Sequence, residues 1–599
     1  MRNAPGRDTA VRRRLRRRDK WKTRRQGRGI FSDRTTCSLA LALGAIAVGG
    51  ILQVPPASAI EFDDGELWGS IDTTLSHGLT FRVQKRNEEL AGNTNSNDGN
   101  LNYKRGLVSN TSKFTIDLDI NTSTFGAFLR TTGFLDFENQ YGSRERTPLS
   151  EAAKKAVGRN VELLDAYITT AYDIGDVPVD LRLGKHVLNW GESTFIPNGI
   201  NAINHYDVSK LRLPGSELRE ALLPVSMVSA SASPTANLSV EAFYQLDWEE
   251  TKIDPVGSYF SSTDYAGPGA RKAVITQVTD LLQLLPGACP RGADLGCGLS
   301  PETFDPDFAS VLRGPDLIPP DSGQWGIAAR FLAEDLNLTE FGFYFMNYHS
   351  RLPVISARQG PVEGINAGLA AANAITANPP QLPPGVTIEQ VASGVAINAY
   401  GKSATYSLEY PADIRLFGAS FNTVLGASGW ALQGEYSLRQ NAPLQVAERV
   451  VLTNGLAPIG RALALASNPT ELQTFLDEYT PEPVQGYVEH DVSQFQVTAT
   501  KVFGPTLSAD ALVFVAEAAM MRVHNMPTTP IESPAGGILP GQPPSNAQGA
   551  HLRPEVADAD AMSWGYRIAA RLDYNNAIGS INLYPYTQFL HDVSGNSPA

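Results

Sequence analysis

Histidine, cysteine, serine and carboxylate side chains are the groups whose spacing could support catalysis or metal binding in this chain. The motifs of serine hydrolases, zinc metalloproteases and nucleotide-binding enzymes are absent from the sequence. Gly191-Glu192-Ser193 lacks the second glycine of a nucleophile elbow, and Glu489-His490-Asp491 reads as a solvated loop edge. We therefore predict that the protein is not an enzyme, and we expect no cofactor and no metal.

Two cysteines could instead form a covalent link. Cys289 and Cys297 lie in the longest connection between predicted strands, and Cys37 lies near the N-terminus. A pair of cysteines in an exported chain is expected to form a disulfide. The alternative, a metal site, would need more ligands nearby, and no histidine is close to either cysteine.

Charged side chains recur at alternate positions of apolar segments, as in Lys113, Asp117 and Asp119, which are interleaved with Phe114, Ile116 and Leu118. A period of two is typical of a β-strand with one apolar and one polar face. Charge in mid-strand is costly against lipid, so these residues are expected to face a water-filled lumen. The predicted lining residues are Arg82, Lys113, Asp117, Asp119, Arg130, Asp136, Glu138, Arg182, Glu241, Glu435, Arg439, Arg571 and Asp573. Acids are commoner than bases on these faces, which favours cations or neutral solutes.

Fifteen segments with this pattern are predicted to be strands. They fall near 67–84, 107–121, 125–138, 161–173, 177–190, 225–232, 237–248, 324–332, 337–351, 406–425, 429–439, 492–503, 507–523, 561–574 and 580–590. The connections between them alternate strictly between long and short. That alternation is typical of an outer-membrane barrel, with long outer loops and tight periplasmic turns.

The fold class is therefore predicted to be all-β, a transmembrane antiparallel β-barrel of 16 to 18 strands when complete, with long outer loops that carry short helices. A soluble β-sandwich is the alternative, but nothing in that fold requires long and short connections to alternate. No apolar run after residue 59 is long enough for a transmembrane helix.

The N-terminal residues have the features of a secretion signal. Residues 1–34 carry 14 of the 49 basic residues and 3 of the 62 acidic ones, and an apolar run follows from Leu39 to Val54. Ala57-Ser58-Ala59 fits a cleavage site, so residues 1–59 are predicted to be removed between Ala59 and Ile60, leaving 60–599 as the barrel. The alternatives are an uncleaved anchor helix and a start codon further downstream. The expected location is the outer membrane of a Gram-negative bacterium, reached through the general secretory route.

Removal of the leader leaves 35 basic and 59 acidic residues, a net charge of −24. No basic stripe remains for nucleic acid, so that class of partner is excluded. The expected partners are outer-membrane lipid, lipopolysaccharide and the barrel insertion machinery, while the sequence leaves the oligomeric state open.

Two long connections are candidates for functional elements. The connection 191–224, with a short helix near Ser216–Leu222, is the first choice for a gate or substrate contact. The connection 249–323, with helical character at Arg271–Leu285, either folds inward to narrow the pore or caps the outside.

The segment Arg182-Leu183-Gly184-Lys185-His186-Val187-Leu188-Asn189-Trp190-Gly191-Glu192-Ser193 and its continuation to Asn201 resemble those of DUF1302, a family of large exported proteobacterial proteins. Asp207–Arg212, Glu217–Pro224 and Glu241–Trp248 continue the resemblance, which covers the whole mature chain. The resemblance implies traffic of a hydrophobic substrate through the envelope, together with a permease system, and it assigns no site residues.

Members of that family continue beyond Asn596 into further strands, and an odd strand number is unusual for a single-chain barrel. We therefore expect one to three C-terminal strands to be missing from the sequence. The predicted function is a porin-like channel for a small hydrophobic or amphipathic solute. The alternative is a barrel-anchored surface-binding or envelope-assembly protein that transports nothing.

Overall fold

A large antiparallel sheet whose strands follow one another in chain order dominates the structure. The computed structural model describes residues 60–87, 91–92, 94–214, 216, 218–283, 307–526, 559–579 and 581–597. Its strands are β1 (Ile60–Asp63), β2 (Trp68–Arg82), β3 (Gly106–Asn121), β4 (Phe125–Asp136), β5 (Arg159–Ile174), β6 (Val177–His186), β7 (His205–Tyr206), β8 (Leu222–Leu223), β9 (Val225–Ala232), β10 (Leu238–Gln245), β11 (Lys272–Val274), β12 (Ser310–Arg313), β13 (Trp325–Ala333), β14 (Thr339–Tyr348), β15 (Val354–Arg358), β16 (Thr405–Glu409), β17 (Ile414–Val424), β18 (Trp430–Gln445), β19 (Pro483–Val484), β20 (Tyr487–Phe503), β21 (Ala511–Val523), β22 (Met562–Ile578), β23 (Ile581–Leu583) and β24 (Tyr586–Ser594).

The strands of the large sheet pair with their neighbours along the chain, as in an up-and-down barrel. The order is β1-β2-β3-β4-β5-β6-β9-β10-β13-β14-β17-β18-β20-β21-β22-β24, with β23 also beside β22. This is the predicted antiparallel barrel architecture, and all fifteen predicted strands are present. The sheet is not closed in the described part of the chain, where β1 pairs only with β2 and β24 only with β22.

The two faces of the sheet differ as the alternation predicted. On one face large apolar side chains are exposed to the surroundings, among them Leu75 at 78%, Phe343 at 60% and Ile168 at 52%. The opposite face carries the charged and amide side chains, many of them buried by the connections. An exposed apolar band on a sheet with a polar inner face is the pattern of a barrel in lipid.

The short connections are tight turns. Gly175, between β5 and β6, has a φ of 62°, a left-handed conformation that glycine adopts without strain. Such turns fix the strand register and place all the long connections at the other end of the sheet.

The long connections carry all ten helices of the described residues: α1 (Asp98–Asn102), α2 (Phe137–Tyr141), α3 (Glu151–Val157), α4 (Val208–Leu211), α5 (Leu218–Ala221), α6 (Thr276–Gln283), α7 (Val362–Ala377), α8 (Ile388–Gly401), α9 (Glu448–Leu465) and α10 (Pro469–Glu478). A five-stranded sheet, β11-β12-β16-β15-β19, lies with them. Ile275, Ile365, Ile397 and Leu456 are fully buried in the apolar cluster that joins helices α6 to α9. The described parts of the connections around 249–323, 352–405 and 440–491 therefore form one layer with its own core.

Some predicted bounds were wrong. The strand predicted at 406–425 is divided into β16 and β17, because Asp413 has a φ of 60° and turns the chain out of the five-stranded sheet. Glu489-His490-Asp491 lies inside β20 and not at a loop edge. Arg271–Leu285 contains a short strand before helix α6, and the predicted helix near Ser216–Leu222 is α5.

Within the described ranges, no helix is long and apolar enough to cross a membrane.

Candidate functional site

The connection between β6 and β9, residues 187–224, crosses the polar face of the large sheet and is called the strap below. Its first part hydrogen-bonds to β18, β20 and β21, and its second part bonds to β3 and β5. These two groups of strands are far apart in the order of the sheet. One segment is thus anchored to two distant parts of the inner face, as expected for a connection that narrows a barrel interior.

Glu517, in the middle of β21, holds the first part of the strap. Its carboxylate accepts hydrogen bonds from the backbone amides of Thr194 at 2.8 Å, Phe195 at 2.7 Å and Ile196 at 2.6 Å. The hydroxyl of Thr498 on β20 donates to the same carboxylate at 3.0 Å. Hydrogen bonds to an ionised acceptor are roughly twice as strong as neutral ones, so Glu517 is a strong anchor.

Glu435, on β18, is a second anchor of the same kind. It accepts the backbone amide of Ile200 at 2.8 Å, the side-chain amide of Gln496 at 2.8 Å, and also the backbone amide of Glu192. The strap has no regular secondary structure between β6 and β7, so its buried amides need acceptors from outside. The two glutamates supply them.

Side chains of β18 and β20 donate hydrogen bonds to the backbone carbonyl groups of the strap. Arg439 donates to the carbonyl oxygens of Asn198 and Gly199, each at 2.6 Å. The side-chain amide of Gln494 donates to the carbonyl of Pro197 at 2.8 Å. The backbone of 192–200 is therefore held by both its donors and its acceptors, which fixes its path.

Apolar packing fixes the same stretch. Trp190 is 1% exposed, with its ring 5.1 Å from that of Phe243 and 5.8 Å from that of Tyr344. Ile200 is fully buried and lies over Gly418 of β17, where a Cβ atom would be 2.8 Å from its side chain. Glycine at 418 leaves the room that the isoleucine occupies.

The second part of the strap is bound to the opposite group of strands by ion pairs. Glu220 of α5 accepts Lys113 of β3 at 2.5 Å and the hydroxyl of Thr115 at 3.1 Å. Lys210 of α4 pairs with Glu162 of β5. These buried pairs make the strap costly to displace, because each would leave a charge unpaired.

Glu192 is the titratable group of the strap with an unusual environment. Burial raises the pKa of its carboxyl to about 7, assisted by the negative charges of Glu340 and Glu435. Asn422 opposes the shift by donating to the carboxylate at 3.1 Å, as does the charge of Arg330. A carboxyl group that titrates near neutrality therefore lies on the inner side of the sheet.

Five of the predicted lining residues hold the strap: Lys113, Asp117, Glu241, Glu435 and Arg439. Glu241 accepts the indole N–H of Trp190 at 2.8 Å and pairs with Arg330 at 3.1 Å. Their side chains point to the polar face, but they contact protein.

Three others bind the outer connections. Arg82 donates to the carbonyls of Asn100 at 3.0 Å and Tyr103 at 2.8 Å. Asp136 ends β4 and caps helix α2, so Glu138 belongs to that helix and not to the strand. An aspartate at an N-cap ends a strand readily because it satisfies the first free amides of the helix.

The remaining predicted residues lie elsewhere on the polar face of the large sheet. Arg130 is paired with Asp117 at 2.7 Å and with Asp165 at 3.4 Å, and Arg571 with Asp573 at 2.7 Å. Asp119 accepts the side-chain amide of Asn121, and Arg182 lies against the ring of Tyr167. That they line a pore stays a prediction.

Sequence reasoning missed Glu517, Glu220 and the role of Glu192. Glu517 has a local signal, since it is the only charged residue between Ala511 and Met521. An isolated carboxylate in an otherwise apolar strand marks a buried partner, although the strand does not say which one.

The first choice for a functional connection, 191–224, is the one that lies on the polar face. The described part of 249–323 packs instead with the other outer connections, where the rings of Tyr265 and Tyr406 meet edge to face with their centroids 6.3 Å apart. Cys289, Cys297 and the predicted cleavage site at Ala59 lie outside the described residues. Among the described residues, no group of three or more His, Cys, Asp or Glu side chains could hold a metal ion.

The comparisons with known proteins give one family and several solved structures. Residues 40–599 match the model of the family described as "Protein of unknown function (DUF1302)". OprB of Pseudomonas putida is 9% identical, with 88% of this chain and 89% of that chain covered and a TM-score of 0.30. OccD3 of Pseudomonas aeruginosa is 8% identical, with 90% and 89% covered and a TM-score of 0.31. A BenF-like porin of Pseudomonas fluorescens is 8% identical, with 88% and 94% covered and a TM-score of 0.31. No curated protein matches the chain.

Proposed function

The chain belongs to the DUF1302 family of proteins of unknown function, and we propose from its geometry that it is an outer-membrane channel whose opening is narrowed by the strap. The solute is small and hydrophobic or amphipathic. The proposed location is the outer membrane of a Gram-negative bacterium, reached through the general secretory route and the barrel insertion machinery. An envelope permease system is the proposed partner for onward traffic.

One observation carries this proposal: the strap crosses the polar face without filling it. Glu435 and Glu517 bind its first part, and Lys113 and Asp117 bind its second, while Arg130 and Arg182 contact groups of the strands and not of the described part of the strap. Ion pairs on the wall of a dry interior would be poorly compensated. Water in the remaining space avoids that cost and gives a path for solutes.

The apolar outer face supports the membrane location. Leu75, Ile168 and Phe343 are exposed on the side opposite the charges, and exposed apolar area of this extent is unfavourable in water. In a lipid bilayer the apolar face would contact hydrocarbon instead of water, and the charged face would point into the barrel.

A specific observation favours a second candidate, an anchored surface-binding protein. The outer layer has its own apolar core around Ile365, Ile397 and Leu456, as an independent binding module would. Its helices α7, α8 and α9 are 16, 14 and 18 residues long.

Solute flux separates the two candidates. The full-length protein, reconstituted in liposomes, should let small amphipathic solutes enter and swell the vesicles, and a strap-shortened variant should swell them faster. A correctly inserted protein that gives no swelling with either form would contradict the channel and favour the surface-binding candidate.

A further inference from the structure

Two aromatic rings lie side by side on the polar face of the sheet, among the charged residues. Phe128 of β4 and Tyr167 of β5 are partners in the register, with ring centroids 5.5 Å apart and an interplanar angle of 30°. Both side chains are half-buried and face the side of the charged residues. Phe243 and Tyr344 on the same face are buried against Trp190 of the strap, whereas these two rings are only half-buried.

Each ring carries a guanidinium group against it. The Cζ atom of Arg130 is 5.2 Å from the centroid of Phe128, and that of Arg182 is 4.7 Å from the centroid of Tyr167. A guanidinium over a ring face is attracted by the ring quadrupole and held in orientation. The same arginine–ring unit thus occurs at both rings, and Arg330 over Tyr344, at 5.7 Å, is a further unit on this face.

The units at Phe128 and Tyr167 differ in whether a carboxylate of the protein is paired with the arginine. In the first unit, the carboxylate of Asp117 accepts two hydrogen bonds from the guanidinium group of Arg130, one from Nε at 2.8 Å and one from Nη2 at 2.7 Å. In the second, Arg182 has no carboxylate within ion-pair distance in the part of the chain that the structure describes. Asp165, whose carboxyl group feels the charge of Arg182, is paired with Arg130 instead.

The position of the second unit suits a passing solute. Arg182 lies on β6 four residues before His186, the last residue of that strand, after which the strap begins. The ring of His186, which is fully buried, lies 5.7 Å from that of Tyr167 and packs the unit against the end of β6 where the strap begins. The unit is therefore on the wall beside the strap and on its periplasmic side.

We propose that Arg182 and Tyr167, with Phe128 beside them, form a binding site for an aromatic carboxylate in the channel. The carboxylate takes the place at Arg182 that Asp117 takes at Arg130, and the planar ring lies along Tyr167 and Phe128. Planar bidentate recognition of carboxylates is what the guanidinium group favours, and offset rings attract each other. This inference rests on the proposed channel and names the solute class as amphipathic anions with a flat apolar body.

The experiment measures block of the potassium chloride current through the full-length protein in planar bilayers. Benzoate should block at lower concentration than cyclohexanecarboxylate, which is not planar, or benzyl alcohol, which is not charged. Arg182→Gln should raise the half-blocking concentration of benzoate roughly tenfold, since a charge-assisted bidentate contact is lost. Tyr167→Leu should narrow the difference between benzoate and cyclohexanecarboxylate.

Arg571→Gln is the matched control, because it removes a guanidinium of the same face that is already paired with Asp573. Block in that variant should equal that of the parent. A conducting channel that benzoate blocks equally in the parent and in Arg182→Gln, or does not block at all, would overturn the inference alone. A parent protein without any potassium chloride current would instead count against the proposed channel.

Discussion

The carboxylate of Glu517 accepts a hydrogen bond from the backbone amide of Thr194 at 2.8 Å, although 323 residues separate them in sequence. Two further amides of the strap bind the same carboxylate. A strand of the large sheet thereby fixes a connection that crosses the polar face of that sheet. In the proposed channel, the size of the opening depends on how firmly such contacts hold the strap.

Replacing Glu517 by glutamine should loosen the strap. The amide group keeps one acceptor, loses the charge and places N–H groups near other N–H groups, at a cost of about 2 kcal/mol or more in strap docking. Single-channel recordings should show a larger or noisier current. Asp573→Asn is the matched control, since it removes a carboxylate of the same face that contacts Arg571 and not the strap, and equal currents in both variants would contradict the anchor role.

The pH dependence of the channel should follow Glu192. Its pKa is raised to about 7 by burial and by Glu340 and Glu435, against Asn422 and Arg330. The acid form is the one that the docked strap favours, so docking is most stable below the ordinary pKa near 4.5 and weakens as pH rises through about 7. Cation selectivity should rise over the same interval, as the carboxylate ionises.

Reversal potentials between pH 5 and pH 8 test this expectation. Glu192→Gln should remove the change in selectivity and leave the channel insensitive to pH over that interval. A variant that keeps the full pH dependence of the parent would assign it to another group.

Gly418→Ala should displace the strap without any change of charge. The added Cβ would be 2.8 Å from the side chain of Ile200, closer than real Cβ contacts, and Ile200 is fully buried. We expect an increase in conductance and a loss of about 1–3 kcal/mol in thermal stability, as for overpacking elsewhere. Gly504→Ala is the control because nothing lies within 4 Å of its Cβ position, and a strap that tolerates alanine at 418 as well as at 504 would show that the packing is loose.

The lipid-facing register can be tested on β2. Leu75 is 78% exposed on the apolar face, so Leu75→Arg would place a cation in hydrocarbon, at a cost of roughly 2–4 kcal/mol near the midplane. The variant should insert poorly, as judged by the heat-modifiable mobility of the folded form on gels. Thr74→Arg, on the polar face opposite Thr115, should insert normally, and the reverse outcome would shift the register by one residue.

The strands and the sorting of the connections could be predicted from the sequence because they depend on local signals, a period of two and the length of each gap. The residues of the polar face were predicted in the same way, and that they line a pore stays a prediction. The strap contacts could not, because Glu435 and Ile200 are brought together by the curvature of the sheet and not by any spacing along the chain. The ends of some strands could not be predicted either, because a single aspartate interrupts the apolar pattern. Asp413 turns the chain, and Asp136 caps a helix.

The conductance of the full-length protein in planar bilayers, with and without the first part of the strap, tests the central claim most directly. The variant replaces residues 191–201, which include the backbone held by Glu435 and Glu517, with a short glycine–serine link. We predict a small ion current for the parent and a clearly larger one for the variant, because the wall behind the strap is polar. A folded, inserted protein that carries no current in either form would contradict the channel.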